Sequence, residues 1–445
     1  MQIYLKEKIG NPDLFTGRRK ELDKLLTWVE KIKPELSKSR AIISRRKTGK
    51  SAIMQRLFNI VFEQNGLVVP FYFEFRETSK WIADLAKEYF FTFIGQYLAF
   101  KSRKVKYMEY ITDYEILLEA VQKEGLDHLS RQISQFRNSE KKKEWDILWD
   151  IARDAPRMIA QSKDERILQI IDEFQFINRY IFRDRACKNH IPELAGSYLH
   201  TAEYKHAPML VSGSWIGWLM DDINKLLPGR FLFADFGNMP KHEAIEMALN
   251  YSALEKIPLT YENACIIAEL TEGNPFYISS LFQSEYSDKD FSTEKGILEV
   301  LDFETLDKRG SIRGTWMEYI GSAINRINDI NGKKIILYIC KKKDVTRAEI
   351  EKDLNPEMKN GELETRLKAF VRADIVEQGT SDFRYQAVAD NIFDKVFRGV
   401  YQEEIDSFDH KQIKNEYKAL YKKIQGEFNK YKGEFSEYVI INKLR

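Results

Sequence analysis

Apolar residues along this chain fall into two rhythms. Continuous apolar runs occupy 40–43, 66–75, 166–171, 209–214 and 231–233. They are short and mostly rich in β-branched or aromatic residues, so they read as strands. Because they are apolar on both faces instead of alternating, they suit a parallel sheet covered on both sides. Between them apolar residues recur at helical spacing, as in Leu22, Leu25, Leu26 and Val29, and in Ile53, Met54, Leu57, Ile60 and Val61. The stretch 79–161 is largely helical by the same test, with Lys141-Lys142-Lys143 as a solvated face. Pro70 requires its strand to start there or to lie at a sheet edge. The alternation predicts an α/β fold: a parallel sheet with helices on both faces.

From about residue 241 the strand signals stop. Helices are expected over 241–254 and 261–270, and Glu272-Gly273-Asn274-Pro275-Phe276 ends one helix and starts another. Over 315–400 the pattern suggests a small winged-helix unit: helices at 333–340, 347–353 (capped by Thr346) and 362–371, then a wing strand at 383–388. A basic amphipathic helix is expected at 411–431, with Ile413, Tyr417, Leu420, Ile424 and Phe428 on one face. The expected division is a core at 10–240, a helical lid at 241–312, a winged-helix-like domain at 313–400 and a basic amphipathic helical tail at 401–445.

Composition narrows the classes. At 445 residues the chain exceeds one hydrophobic core, and 43% apolar with 13% aromatic content excludes extended disorder. Seventy basic against 68 acidic residues create no global field toward nucleic acid or membrane. Cys187, Cys265 and Cys340 are isolated, and the six histidines are scattered, so neither a disulfide framework nor a zinc site is expected. No apolar stretch approaches the ~18 residues of a membrane span. A cytoplasmic location is the expectation.

The candidate chemistry lies after the first run. Ser44-Arg45-Arg46-Lys47-Thr48-Gly49-Lys50-Ser51 lies between a strand and a helix, the context in which G-x-x-x-x-G-K-[ST] binds phosphate. Backbone N–H groups of the loop and of the helix start at Ser51 and Ala52 point at phosphates. Lys50 would reach the β/γ-phosphates and Ser51 would ligate Mg²⁺. Ser44 stands where the motif has its first glycine; if that residue needs φ > 0, serine costs free energy there. The run 166–171 ends in Asp172-Glu173, carboxylates at a strand's C-terminal end, where ligands bind in open α/β sheets. Asp172 would hold Mg²⁺ and Glu173 would act as general base.

With these motifs in place, the chain resembles the archaeal-type ATPases of the STAND class, a branch of the AAA+-like P-loop ATPases. Phe15-Thr16-Gly17-Arg18-Arg19-Lys20-Glu21-Leu22 matches that family's F-x-G-R-x-x-E-L opening, which packs on the adenine. The loop matches G-x-R-R-x-G-K-[ST], with Arg46 and Lys47 at the two arginines and Ser44 departing from the glycine. Asp172-Glu173 matches its acidic pair, Ser212-Gly213-Ser214 its sensor strand end, and Pro228-Gly229-Arg230-Phe231 its G-R turn. Gly273-Asn274-Pro275-Phe276-Tyr277 is similar to the lid motif whose proline nears the base. The resemblance covers about 10–400. It implies ATP/ADP with Mg²⁺, γ-phosphate sensing by Ser214 or Arg230, and Arg230 as an arginine finger in cis or across an oligomer. Residues 432–444 resemble the first helix of a nuclease-like domain, with Glu437 at its glutamate, but the remaining catalytic positions are not reached and no nuclease activity is implied.

The expected function is an ATP-driven switch of low turnover acting on a protein partner. Two alternatives stand beside it: a non-hydrolysing nucleotide-binding scaffold and a DNA-binding ATPase. Over 361–378 three basic residues face four acidic ones, which is poor for phosphate neutralisation. The tail carries nine Lys/Arg against four Glu over 411–445 among aromatic and aliphatic residues, so residues 401–445 are the expected partner-docking segment. A homo-oligomer is the other expected assembly, and no membrane is involved.

Overall fold

The computed structural model describes residues 2–109, 111–214, 216–325, 330–342, 344–354, 361–372, 375–378, 384–387 and 390–406. The first residues wrap the core: Tyr4 and Leu5 donate backbone N–H to Asn59 Oδ1 at 3.0 and 2.8 Å. Helix α1 (Arg19–Glu30), strand β1 (Ser39–Ile43) and helix α2 (Lys50–Gln64) follow. Strand β2 (Val68–Glu74) and the two-residue β3 (Lys80–Trp81) lead into α3 (Ile82–Ser102), α4 (Tyr114–Lys123), α5 (His128–Lys141) and α6 (Trp145–Lys163). Next come β4 (Arg166–Asp172), the short β5 (Ile181–Phe182) paired with β3, then β6 (Met209–Gly213), α7 (Ile216–Leu226) and β7 (Phe231–Asp235).

The main sheet has the order β2-β4-β6-β1-β7, and every pairing is parallel. All five carboxyl ends therefore lie along one edge, where open α/β sheets bind ligands. Every residue of β4 after Arg166 is buried, which explains its unbroken apolar run. β2 lies at the sheet edge, so the missing N–H of Pro70 is tolerated. Its Phe71 packs edge-on against Tyr89 and Phe93 of α3, each 5.1 Å between centroids.

Beyond the core, α8 (Lys241–Glu255), α9 (Tyr261–Leu270), α10 (Pro275–Phe282), α11 (Glu294–Leu306) and α12 (Ser311–Asn325) form the helical lid. Local caps set their starts: Thr260 accepts from Asn263 N–H, Thr293 from Gly296 N–H, and Asn274 from Phe276 N–H ahead of Pro275. Then α13 (Ile330–Lys342), β8 (Asp344–Thr346), α14 (Arg347–Leu354), α15 (Glu362–Arg372), β9 (Val376–Gln378) and β10 (Arg384–Ala387) appear in winged-helix order, with an antiparallel β8-β10-β9 sheet. α16 (Asn391–Asp406) packs back on α11 and α12, and α15 packs on α7 of the core. Boundaries at 312/313 and 400/401 fall inside α12 and α16, because helices run on where the sequence shows no breaker. The amphipathic helix expected at 411–431 lies outside the described residues.

Candidate nucleotide site at the carboxyl edge of the sheet

β1 ends at Ile43, and the chain turns tightly into α2. Lys47 and Gly49 carry the left-handed conformations of this turn, at φ 64° and 90°. Ser44 is not among the left-handed residues, so the conformational cost expected for serine at the first glycine position does not arise. Instead its hydroxyl ties the loop, lying 2.6 Å from Thr48 Oγ1 and donating to the Phe236 carbonyl. Thr48 Oγ1 also donates to Arg45 O at 3.0 Å. Lys50 is buried and donates to Ser44 O at 2.9 Å and Arg45 O at 2.5 Å. Its ammonium thus meets neutral carbonyls of its own loop, where a phosphate would offer full negative charge. Ser51 and Ala52 sit half-buried in the first turn of α2.

Two strands away, Asp172 is fully buried and its two oxygens are divided. Oδ1 accepts from the Ser212 hydroxyl and from Glu173 N–H (3.0 Å), and Oδ2 from Tyr72 OH at 3.1 Å. Burial, reinforced by Asp172, pushes the Tyr72 phenol well above its ordinary range. Glu173 has φ 54°, an uncommon conformation for a non-glycine residue and one that clusters at functional sites. Its Oε2 accepts from Gln175 Nε2 (2.6 Å), Ser214 Oγ (2.8 Å) and Ser214 N–H (3.3 Å). The structure therefore brings Asp172, Glu173 and Ser214 together. Glu74, in register with Asp172, was missed by sequence reasoning, although it ends its strand as Asp172 ends β4. Burial holds its carboxyl above the usual range, Lys8 opposes this, and Asp172 and Glu173 push it further up.

The opening segment 15–18 forms the neighbouring wall. Phe15 stacks under Arg56, 4.2 Å from guanidinium carbon to ring centroid, and Glu7 holds that guanidinium through two 2.8 Å contacts. Phe15, Thr16, Gly17, Leu22, Leu249 and Asn250 help line a cleft of about 610 Å³. Asn250 Nδ2 donates to Thr16 Oγ1 at 2.9 Å. Arg18 is buried and donates to Thr48 O at 2.8 Å, joining this segment to the phosphate loop. Its own N–H and that of Arg19 donate to Glu243 at 2.6 and 3.2 Å, so a carboxylate of α8 caps α1. Gly17 makes that possible: φ is +73°, and a Cβ there would lie 2.9 Å from Glu243 Oε2.

Lid and wing both reach the loop. A Cβ on Gly49 would sit 3.6 Å from Pro275 Cγ, and Lys47 Nζ lies 4.9 Å from the Phe276 ring centroid. Burial, aided by neighbouring Arg46, lowers the Lys47 pKa. Arg46 pairs with Glu77 at 3.3 Å, and Arg45 forms an ion pair with Glu377 of β9. These long-range partners, too, carry no sequence signal.

Arg230 lies elsewhere. It precedes β7, whose Phe231 is in register with Ser39, at the end of the sheet opposite the loop. There it pairs with Glu203 at 2.8 Å and donates to Pro228 O at 2.6 Å. The expected role of Arg230 as a sensor within its own chain is not met, because a parallel strand puts its first residue far from the carboxyl edge.

No protein-family model and no curated protein sequence matches the chain. Among solved structures it is similar to a Walker-type ATPase of Pyrococcus abyssi, at 15% identity over 89% of this chain and 100% of that one, with TM-score 0.56. The ORC2 protein of Aeropyrum pernix in ADPNP–ADP complexes aligns at 12% identity over 88% and 98%, with TM-score 0.46. RuvB of Thermotoga maritima aligns at 13% over 87% and 96%, with TM-score 0.38. Among the described residues no helix is long and apolar enough to cross a membrane. The chain has the fold of a P-loop ATPase, with a helical lid and a winged-helix unit behind it.

Proposed function

We propose that this protein is an ATP-binding and slowly ATP-hydrolysing switch of the STAND type, whose nucleotide state is passed to a protein partner. One observation carries the reading: the phosphate loop is touched by both lid and wing, through Phe276 under Lys47 and Glu377 on Arg45. A ligand that moves the loop therefore has state-specific contacts through which to shift the rest of the chain. Phosphates are held by the loop amides, Thr48 and Lys50, with Arg46 and Lys47 at the rim, and the adenine enters the cleft beside Phe15. Glu173 is the general base, and Ser214 its partner and the phosphate sensor.

Mg²⁺ fits the donor set. Such an ion binds through one or two protein oxygens plus phosphates, and Ser51 in the first turn of α2 and Asp172 at the end of β4 offer a hydroxyl and a carboxylate. These two groups would hold the ion, which would neutralise phosphate charge. The test is amide hydrogen exchange of Val376–Gln378 in the full chain with ADP or ATP. Different protection in the two states is expected, and identical protection would overturn the switch.

The non-hydrolysing scaffold also has an observation in its favour: Ser214 and Gln175 occupy the Glu173 carboxylate. Matching background turnover in wild type and Glu173→Gln would select it. DNA reading by the wing is disfavoured because α15 packs on α7. An oligomer remains part of the proposal only through Arg230.

A further inference from the structure

Between α1 and the start of α8 the core carries an unused surface. α1 presents Lys20 and Lys24, and its C-cap residue Lys31 continues the same face, all exposed and without a side-chain hydrogen-bond or ion-pair partner among the described residues. They line a cleft of about 810 Å³ between α1 and the start of α8. Arg40 of β1 also lines it, its guanidinium carbon 5.5 Å from the Trp28 ring centroid. Arg40 Nε is buried with no acceptor, and burial lowers its pKa with no carboxylate opposing. Of the two acidic side chains in the lining, Glu243 is consumed in capping α1, which leaves Asp23. The cleft is built for negative charge.

Beside Arg40 lies β7, an edge strand of the sheet that pairs only with β1 among the described residues. Leu232 and Phe233 are 48% and 41% exposed. Leu232 is in register with Arg40, so the two side chains share a sheet face. An open edge strand with exposed apolar side chains is a template for another strand.

We propose that β7 and the α1 cleft together dock an extended acidic segment of a partner protein, which adds as a strand beside β7 and lays its carboxylates on Arg40 and the α1 lysines. The chain's own tail is the wrong occupant, since residues 411–445 hold nine Lys/Arg against four Glu. A nucleic-acid backbone would use the lysines but not the strand edge or Leu232 and Phe233.

The probe is a fluorescein-labelled peptide of alternating Glu and Leu, about eight residues long to match a strand. It is titrated into the nucleotide-free full chain, so failure here is separable from failure of the nucleotide reading. Binding is expected, with affinity lowered about tenfold or more when Lys20→Glu, Lys24→Glu and Lys31→Glu are combined. Amide exchange across Phe231–Asp235 should slow when peptide is bound. The uncharged change Leu232→Ser should weaken binding as well, which separates packing on the strand edge from charge attraction alone. The proposal is overturned by absent binding, by indifference to the lysine reversals, by unchanged exchange in β7, or by tighter binding of a single-stranded oligonucleotide of equal length.

Discussion

At the amino-terminal ends of the core strands, arginines meet carboxylates: Arg230 faces Glu203 at 2.8 Å, and Arg166 faces Glu35 at 2.9 Å and Asp164 at 3.0 Å. At the carboxyl ends, Lys50 rests on carbonyls, while Asp172 and Glu173 take hydroxyl and amide donors in place of cations. In the first set the carboxylates are exposed while the arginines are mostly covered, and each pair is worth about 0–1 kcal/mol and screened by salt. In the second set Lys50 and Asp172 are buried, and the carboxylates of Asp172 and Glu173 are held by neutral hydroxyl and amide donors, so a ligand bringing both phosphate and metal adds the charge that these groups can use. One end of the sheet is finished; the other is prepared.

If that contrast is right, substitutions at the prepared end act on nucleotide and those at the finished end act weakly on stability. The largest effect belongs to Glu173→Gln. It keeps the shape and the contacts with Ser214 and Gln175 but removes the base, so turnover should fall by about 10²-fold or more while nucleotide affinity stays within a few-fold. A phosphate-release assay and a binding titration separate the two quantities. Next comes Lys50→Ala, which removes the buried cation of the loop. A loss of about 2–5 kcal/mol corresponds to ATP binding weakened roughly 30-fold or more. If ATP affinity changed by less than about threefold, the phosphate would have to lie elsewhere.

A third substitution tests the wall between the opening segment and the lid. Gly17→Ala puts a Cβ onto Glu243 at φ +73°, so the cap on α1 is disturbed as well as the backbone strained. A stability loss of about 1–3 kcal/mol is expected in thermal unfolding. No change in Tm would mean the α8 carboxylate does not hold α1.

Much of this was legible along the chain because parallel strands leave a strong trace. β4 is buried on both faces and reads as an apolar run, and of the two places open to Pro70, a strand start or a sheet edge, β2 takes the edge. The phosphate loop and Asp172-Glu173 are local motifs whose chemistry depends on neighbours in sequence. What stayed hidden depends on partners far away: Glu243 lies 225 residues from the Arg18 N–H it accepts, and Glu377 lies 332 from Arg45. The conformation of Ser44 was also illegible, because a glycine position in a motif does not say which residue turns left-handed. Arg230 is a different kind of miss. Strand direction alone places a residue that precedes a parallel strand at the far end of the sheet.

Arg230→Ala is accordingly the smallest expected effect and the sharpest control. The five residues of β7 separate Arg230 from the carboxyl edge by about 16 Å at the rise of a parallel strand. That is too far for a guanidinium to touch a phosphate in its own loop. Its ion pair with Glu203, which is 54% exposed in its side chain, should contribute about 1 kcal/mol or less. In dilute protein the substitution should therefore leave ATP affinity unchanged and shift Tm only slightly. Raising the protein concentration adds the informative arm. If Arg230 serves the loop of a second copy, wild-type turnover rises with concentration and the variant's does not. Weakened ATP binding by the variant at concentrations where the chain is monomeric would break the contrast between the two ends of the sheet.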